Sequence, residues 1–230
     1  FIQTQTRSID NIKGENFSVA RAKRPFFKQS YLGLVFTDRS TRDGEIDSLS
    51  LDQTLYGADL ELKTSEFLGN KNLQFQTFFV FHSAPMFNND LSISDLSTRG
   101  LRITYPNDII RTHVSYREFG DMYSPSLGFS RRNGFKRIQP SFSYNPRPQK
   151  LDFIRQIEIG ISYENMTDLN DRMLKKQTTL TPFNIRFESQ DEIGIKIVNL
   201  KEYLEKPFAI YDDITIPINE YNSWEVQFSF

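Results

Sequence analysis

Apolar and polar residues alternate with a period of two along most of the chain, and this alternation limits its possible folds more than any other feature. In the segment 157–164, isoleucine or tyrosine takes every second position, and polar or small residues lie between them. Because successive side chains of a β-strand point to opposite faces, such a run predicts a strand with one apolar face. Similar runs are 17–24, 29–38, 55–63, 73–82, 99–105, 111–117, 136–144, 183–188, 193–197 and 223–230. They predict an antiparallel all-β chain of about ten to twelve strands.

Turn-forming residues separate these runs. Tyr105-Pro106-Asn107-Asp108 predicts a tight hairpin, and Asn145-Pro146-Arg147-Pro148 closes another strand. Longer polar stretches predict loops at 39–53, 64–71, 83–97 and 165–175. The segment 199–206 predicts a short helix, which Pro207 would end. A mixture of short and long connections is typical of barrels with tight turns at one end and long loops at the other.

The composition excludes several classes of protein. The chain has 230 residues and no cysteine, which removes disulfide frameworks, thiol nucleophiles and zinc sites built on cysteine. Its 28 basic and 29 acidic residues nearly cancel, so no nucleic acid is expected as a partner. The longest apolar run, 78–81, is far shorter than the roughly 18 residues of a membrane-spanning helix. Because the first residue is Phe1 and not methionine, we expect either a mature product or an excised piece, with a single β-barrel domain over 1–230.

The direction of the apolar faces separates two interpretations. In a soluble β-sandwich the apolar faces form the core, whereas in an outer-membrane barrel they face lipid and the polar faces line the interior. The polar positions of the runs carry mixed charges, and the last run ends in alternating aromatic residues. Examples of these charges are Arg111, Arg117, Glu158, Glu164, Arg186 and Glu188. The pattern favours an antiparallel up-and-down outer-membrane-type β-barrel or a fragment of one, with the soluble sandwich as the alternative.

Several motifs resemble those of a known family. The stretch 16–24, NFSVARAKR, is followed by SYLGLVFTDR at 30–39 and by a G-x-D motif. A second stretch, FGDMYSPSLGFSRR, covers 119–132. The signature positions of these motifs are Gly57, Asp59, Gly120, Pro125, Gly128 and Phe129. In this order the motifs resemble the uncharacterised outer-membrane-type β domain that follows a family-nine carbohydrate-binding module, mainly in Bacteroidota and other Gram-negative bacteria.

The resemblance implies a location and an architecture. Because the domain of that family is longer than this chain, it also implies that the domain over 1–230 is incomplete at one or both ends. It implies the outer membrane of a Gram-negative bacterium, with outer-membrane lipid, the barrel-insertion machinery and a glycan or other carbohydrate ligand as partners. It brings no established activity, and Ser126 stands where an acidic residue is expected. The expected function is therefore a non-enzymatic outer-membrane barrel domain of a surface protein, linked to glycan binding or uptake. The alternatives are a soluble all-β carbohydrate-binding module and an accessory or catalytic domain of a glycoside hydrolase.

Candidate ligand-binding residues lie in the second motif. Arg131 and Arg132 could clamp an anionic sugar, phosphate or carboxylate, or could instead pair with interior acids such as Glu158 or Glu188. Exposed aromatic side chains in loops could stack on sugar rings, although girdle or packing roles are favoured for them. The candidates are Tyr123, Phe87 and Tyr211.

The sequence gives little support for metal binding or for catalysis by paired carboxylates. His82 and His113 lie on different strands with no carboxylate at ligand spacing, so they predict no metal site. Acidic pairs occur at 191–192, 212–213 and 168/171, and a glycosidase would require two carboxylates that face each other. A calcium loop through Asp168, Asn170 and Asp171 lacks the full ligand pattern. We predict no catalytic residue, no cofactor and no metal.

Overall fold

The computed structural model describes residues 1–9, 13–41, 52–83, 91–211 and 214–230, and these residues form strands, turns and irregular segments without a helix. Strands in chain order are β1 (Ile2–Gln5), β2 (Glu15–Phe26), β3 (Ser30–Thr41), β4 (Gln53–Phe67), β5 (Lys71–His82), β6 (Ser97–Pro106), β7 (Ile110–Phe119), β8 (Phe135–Tyr144), β9 (Ile154–Asp168), β10 (Met173–Phe187), β11 (Glu192–Tyr203), β12 (Phe208–Tyr211), β13 (Ile214–Ile216) and β14 (Glu220–Ser229). No helix in the described ranges is long and apolar enough to cross a membrane.

Twelve of the strands form one sheet, in the order β1 to β11 followed by β14, and β12 and β13 form a separate hairpin. Neighbours in the sheet are consecutive in the chain, apart from that hairpin. The prediction of an all-β, antiparallel, up-and-down fold is therefore confirmed. In the described residues the sheet ends at β1 on one side and β14 on the other, which fits the fragment form of the barrel prediction.

Three local predictions are wrong. The segment 199–206 is not a helix, because β11 continues to Tyr203 and pairs with β10 and β14 on both sides. These ladders override the local helical preference. The loop predicted at 64–71 is a tight turn between β4 and β5, with positive φ at Leu68 (47°) and Gly69 (95°). The loop predicted at 165–175 is likewise the short turn 169–172, so both flanking strands extend well into it.

The hairpin at 105–108 and the strand end at 145–148 are confirmed. Up to β8 the connections alternate in length: 27–29, 68–70 and 107–109 are short, whereas 83–96 and 120–134 are long. Beyond β8 the consecutive connections 169–172 and 188–191 are both short. Alternate connections of an antiparallel meander fall at opposite strand ends. The predicted loops 39–53 and 83–97 lie partly outside the described residues.

The chain forms two compact units. The first comprises Phe1–Thr64, Phe75–Leu101 and Arg117–Phe135, and the second comprises Ser65–Gln74, Arg102–Tyr116 and Lys136–Phe230.

In the first unit, the register of β2, β3 and β4 sorts side chains onto two faces. Ala22 pairs with Leu34, and Leu34 pairs with Ala58, so these residues share the apolar face. The next row of that face joins Ala20, Phe36 and Tyr56. The opposite, polar face carries Arg21, Asp59, Glu61, Gln53 and His82.

The second unit repeats this division over β9, β10, β11 and β14. Leu180 pairs with both Ile161 and Ile197, and Ile197 pairs with Val226 on the apolar face. Glu158, Asn184 and Gly194 are aligned on the polar face. Pro182 lies at a β-bulge, where the register shifts on both sides of β10. A bulge accommodates proline because the ladder is already interrupted there.

Candidate functional site

The connection between β7 and β8, residues 120–134, folds back onto the strand ends of β4 and β5; we call it the strap. The backbone N–H of Ser124 donates to His82 Nε2 at 3.1 Å, and that of Ser126 donates to Gln53 Oε1 at 2.7 Å. Gln53 Nε2 in turn donates to the Ser124 carbonyl at 3.0 Å. Two polar-face side chains thus hold the strap by its backbone.

Both ring nitrogens of His82 have protein partners. A backbone N–H can only donate, so Nε2 accepts from the Ser124 N–H. Nδ1 lies 2.8 Å from the Ser83 carbonyl oxygen and 2.9 Å from Gln53 Nε2. His82 is only 3% exposed, so these contacts and not water surround its ring nitrogens.

Tyr123 is the buried side chain of the strap. Its ring lies 5.7 Å from the His82 ring and 5.9 Å from the Phe119 ring, and Phe119 stacks on Phe135. Burial raises the pKa of the Tyr123 hydroxyl above its ordinary value. The residue is 7% exposed, so its ring has the packing role that is the alternative to an exposed position for stacking on a sugar. Its ring packs against His82 and Phe119 and so holds the strap on the strand ends.

Gly120 begins the strap at a very close backbone approach. Its N–H donates to Ser97 O at 2.8 Å, and the N–H of Met122 donates to Asp95 O at 3.1 Å. A Cβ at position 120 would lie 2.3 Å from the carbonyl oxygens of Ser94 and Asp95. No side chain fits there, which gives a physical reason for the signature glycine.

The turn that Gly120 contacts is itself held by hydrogen bonds. Ser92 donates to the Asp95 carboxylate through its Oγ at 2.7 Å and its backbone N–H at 2.9 Å. These two bonds lower the pKa of Asp95. At the other end of the strap, Gly134 has a φ of +65° and donates to Gly120 O at 3.3 Å. The last residue of the strap is therefore hydrogen-bonded to its first residue, Gly120, which is itself bonded to Ser97.

Several residues in the middle of the strap are exposed to solvent. A Cβ at Gly128 would lie 3.0 Å from Pro125 Cγ, so these signature residues form a compact bend. Phe129 is 83% exposed, and its signature position therefore has no packing role in the described residues. Arg131 is exposed and Arg132 is half-buried. Ser126, where the resemblance expects an acid, has a buried Oγ without a hydrogen-bond partner among the described residues.

The remaining signature residues lie on the polar face of the first unit. Arg21 Nη2 and Asp59 Oδ1 form an ion pair at 2.5 Å. A Cβ at Gly33, between them in the sheet, would lie 2.6 Å from both groups. Gly57 is similarly crowded, since its Cβ would lie 2.7 Å from Val35 Cγ1 and 2.9 Å from a Val80 methyl carbon. The glycines in these motifs provide space for side chains of neighbouring strands.

The other candidate sites have structural roles in the described residues. Asp168 Oδ1 accepts the backbone N–H groups of Asn170 and Arg172, and Asp168 Oδ2 accepts from the Arg172 side chain. These bonds engage both carboxylate oxygens of Asp168 and close the turn 169–172. Asp191 accepts from Ser189, and Glu192 pairs with Arg186. No cluster of metal-ligating side chains occurs in the part of the chain that the structure describes. Phe87, Asp212 and Asp213 lie outside the described residues.

The sequence did not identify Gln53 as part of the site, because it fell in a polar stretch assigned to a loop. For His82 the sequence predicts only that it belongs to no metal site. Each lies at a strand end on the polar face, and such ends are where a returning loop finds side-chain partners. Comparison of the chain with known family models, curated proteins and solved structures gave no match.

Proposed function

We propose that the chain is a non-enzymatic outer-membrane β-barrel domain of a surface protein, whose apolar face contacts lipid and whose polar face lines an aqueous interior. The observation that carries this proposal is an inverted pattern of exposure. Leu34 is 55% exposed, Ile159 45% and Leu180 41%, whereas Glu61 is 7% exposed and His82 3%. A soluble sheet protein buries the first kind of residue and exposes the second.

The polar faces support the same proposal, because their charges are paired across strands. Arg21 pairs with Asp59 in the first unit, and Lys175 pairs with Glu164 at 3.1 Å in the second. Glu61 also contacts Lys63 and accepts from Gln76 at 3.1 Å. Paired charges of both signs, next to a continuous apolar face, are expected where one face lines a lumen and the other meets hydrocarbon.

The link to glycan binding or uptake has separate support. It rests on the resemblance to a domain that follows a carbohydrate-binding module. It also rests on the exposure of Arg131, which lies on a strap that is held at both ends. A loop that is already ordered loses less entropy when it binds a ligand. In this proposal the surface protein uses the strap to contact an anionic glycan.

Cysteine labelling tests the membrane assignment directly, since the chain has no cysteine of its own. Glu158→Cys, Ile159→Cys, Ile195→Cys and Lys196→Cys are introduced singly into the full-length protein in intact cells. We expect positions 159 and 195 to react only with membrane-soluble thiol reagents, and positions 158 and 196 with small water-soluble ones. Reaction of 159 and 195 with neither class would indicate a dry protein core and overturn the proposal. A monodisperse, folded protein without detergent would do the same.

The glycan link has its own test. The full-length Arg131→Ala/Arg132→Ala variant is compared with the wild type for binding to an acidic polysaccharide and to a neutral one. We expect weaker binding to the acidic polysaccharide alone. Equal binding by both proteins would remove the strap from glycan recognition without affecting the membrane assignment. An Arg186→Ala variant, altered on the polar face of the second unit, serves as the matched control.

A further inference from the structure

A groove of about 560 Å³ crosses β2 to β5 on the apolar face of the first unit. Small side chains form its floor, and stacked aromatic rings form one wall. The floor consists of Ala20, Ala22 and Ala58, and the wall of Phe36, Tyr56 and Phe81. The Tyr56 ring lies 5.5 Å from the Phe36 ring and 5.5 Å from the Phe81 ring. The chain has five alanines in total, and three of them are in this floor.

An arginine on the same face lies beyond one end of the groove. Arg24 follows Ala22 on the same face of β2, about 7 Å further along the strand, and pairs in register with Leu32. It is exposed and forms no ion pair in the described residues. The neighbouring cations of β2 point to the other face, where Arg21 pairs with Asp59 and Lys23 lies over the Tyr31 ring. Arg24 therefore leaves an uncompensated positive charge on an apolar surface.

The position of Arg24 along the strand identifies the ligand. It lies close to the short turn 27–29, where the Phe27 side chain is 86% exposed. Arginine and aromatic side chains concentrate where a bilayer meets water, and the short turns of outer-membrane barrels face the periplasm. The lipids of that leaflet are glycerophospholipids. Their phosphate would meet Arg24 while an acyl chain extends along the groove toward the aromatic wall.

We propose that this groove is a binding site for one acyl chain of a glycerophospholipid, with the lipid phosphate on Arg24. The inference rests on the proposed membrane location and adds a specific lipid site to it. The groove favours an apolar ligand because its floor and wall offer mainly hydrocarbon and ring surfaces. The guanidinium supplies the charge-assisted hydrogen bonds that a phosphate oxygen accepts.

Lipid retention by the full-length protein tests the site. The protein is purified in detergent, stripped of lipid, and titrated with phosphatidylglycerol or with diacylglycerol of the same chain length, which lacks the phosphate. Native mass spectrometry then measures retained lipid. We expect phosphatidylglycerol to be retained more strongly, and Arg24→Gln to reduce its retention about fivefold, to the level of diacylglycerol. Ala58→Leu, which fills the floor, should reduce the retention of both.

Matched variants separate this site from general effects. Arg186→Gln on the polar face and Ala209→Leu in β12 should retain lipid as the wild type does. Equal retention of phosphatidylglycerol by wild type and Arg24→Gln would overturn the site. Stronger retention of lipopolysaccharide than of phosphatidylglycerol would overturn the assignment to the periplasmic leaflet. If either occurs while positions 159 and 195 label with membrane-soluble reagents, the lipid site fails and the membrane location stands.

Discussion

The strap in the first unit and β14 in the second unit are ordered by different means. The strap lies over buried side chains of both kinds, with Tyr123 7% exposed and His82 3% exposed. Every residue of β14, from Glu220 to Ser229, is exposed. Nothing in the described residues packs over β14, and its position depends on its ladder with β11.

In the first unit, therefore, a loop supplies part of the buried apolar side chains. The buried apolar residues of the described chain are Leu55, Leu96, Tyr123, Phe135 and Leu174. All but Leu174 belong to the first unit. The strap should therefore respond to changes in its hydrogen bonds and backbone contacts, whereas the strands of the second unit should respond to what their apolar face meets.

Gly120→Ala should have the largest effect on the strap. The added Cβ would lie 2.3 Å from two carbonyl oxygens that cannot move independently. We expect a loss of about 3 kcal/mol in the free energy of unfolding, at the upper end of overpacking costs. Urea unfolding of the full-length protein in detergent measures it. Gly69→Ala is the control for a glycine without close neighbours, since no atom lies within 4 Å of the added Cβ. Its φ of +95° adds local strain to that variant. Equal losses for the two variants would show that the strap contact contributes nothing.

Ile159→Arg should have the largest effect in the second unit. If the apolar face meets lipid, a midplane arginine costs about 2–4 kcal/mol, because the charge must leave water. Unfolding in lipid vesicles measures this cost, and Glu158→Arg on the polar face is the matched control. In a soluble sandwich the same Ile159→Arg change would bury a charge in the core and prevent folding. Complete loss of folded protein would therefore favour the sandwich.

Gln53→Ala tests the side-chain anchor of the strap. It removes the acceptor of the Ser126 N–H and a donor to the Ser124 carbonyl. We expect a cost of about 1–3 kcal/mol, because a buried backbone N–H loses its partner. Trypsin should then cleave faster after Arg131 and Arg132. Gln177→Ala, whose amide makes a 3.4 Å bond to Thr179 in the second unit, is the control. Unchanged cleavage in Gln53→Ala would mean that the backbone contacts at Gly120 hold the strap alone.

The two regions also differ in how far the sequence predicts them. Strand positions and the two faces of β9 follow from alternation, since the period of two is a local property of the chain. The anchor of the strap is not local, because Ser126 and Gln53 are separated by 73 positions. No periodic pattern relates such distant residues. The resemblance identified Gly120 and Pro125 as important, but it did not show that the segment folds back onto β4 and β5.

Two differences between the sequence pattern and the structure have a common cause. The segment 199–206 contains good helix formers, yet the ladders with β10 and β14 determine its conformation. The sequence around Tyr123 has the composition of an exposed loop, yet His82 and Phe119 lie against the Tyr123 ring. In both cases contacts between distant parts of the chain decide the outcome.

Alkaline pH should loosen the strap through Tyr123. The raised pKa means that the folded protein holds the phenolic proton more tightly than the unfolded chain does. This contribution to stability is present below the unfolded pKa of about 10 and is lost as the pH rises through the folded pKa. Urea midpoints measured across this range should fall more steeply in the wild type than in Tyr123→Phe, which has no group to ionise. Identical pH profiles would show that the hydroxyl reaches water without opening the strap.

The ion pair between Arg21 and Asp59 should have the smallest effect. Its side chains are 37% and 22% exposed, so water and salt screen their attraction. A double-mutant cycle of Arg21→Ala and Asp59→Ala should give a coupling of about 0.2–1 kcal/mol, decreasing with added salt. Gly33→Ala should abolish most of this coupling, because its Cβ would displace the ends of both side chains. A coupling that is larger and insensitive to salt would mean that this part of the polar face is shielded from water, as His82 is. The first unit would then be covered over a larger part of its polar face than the strap alone explains.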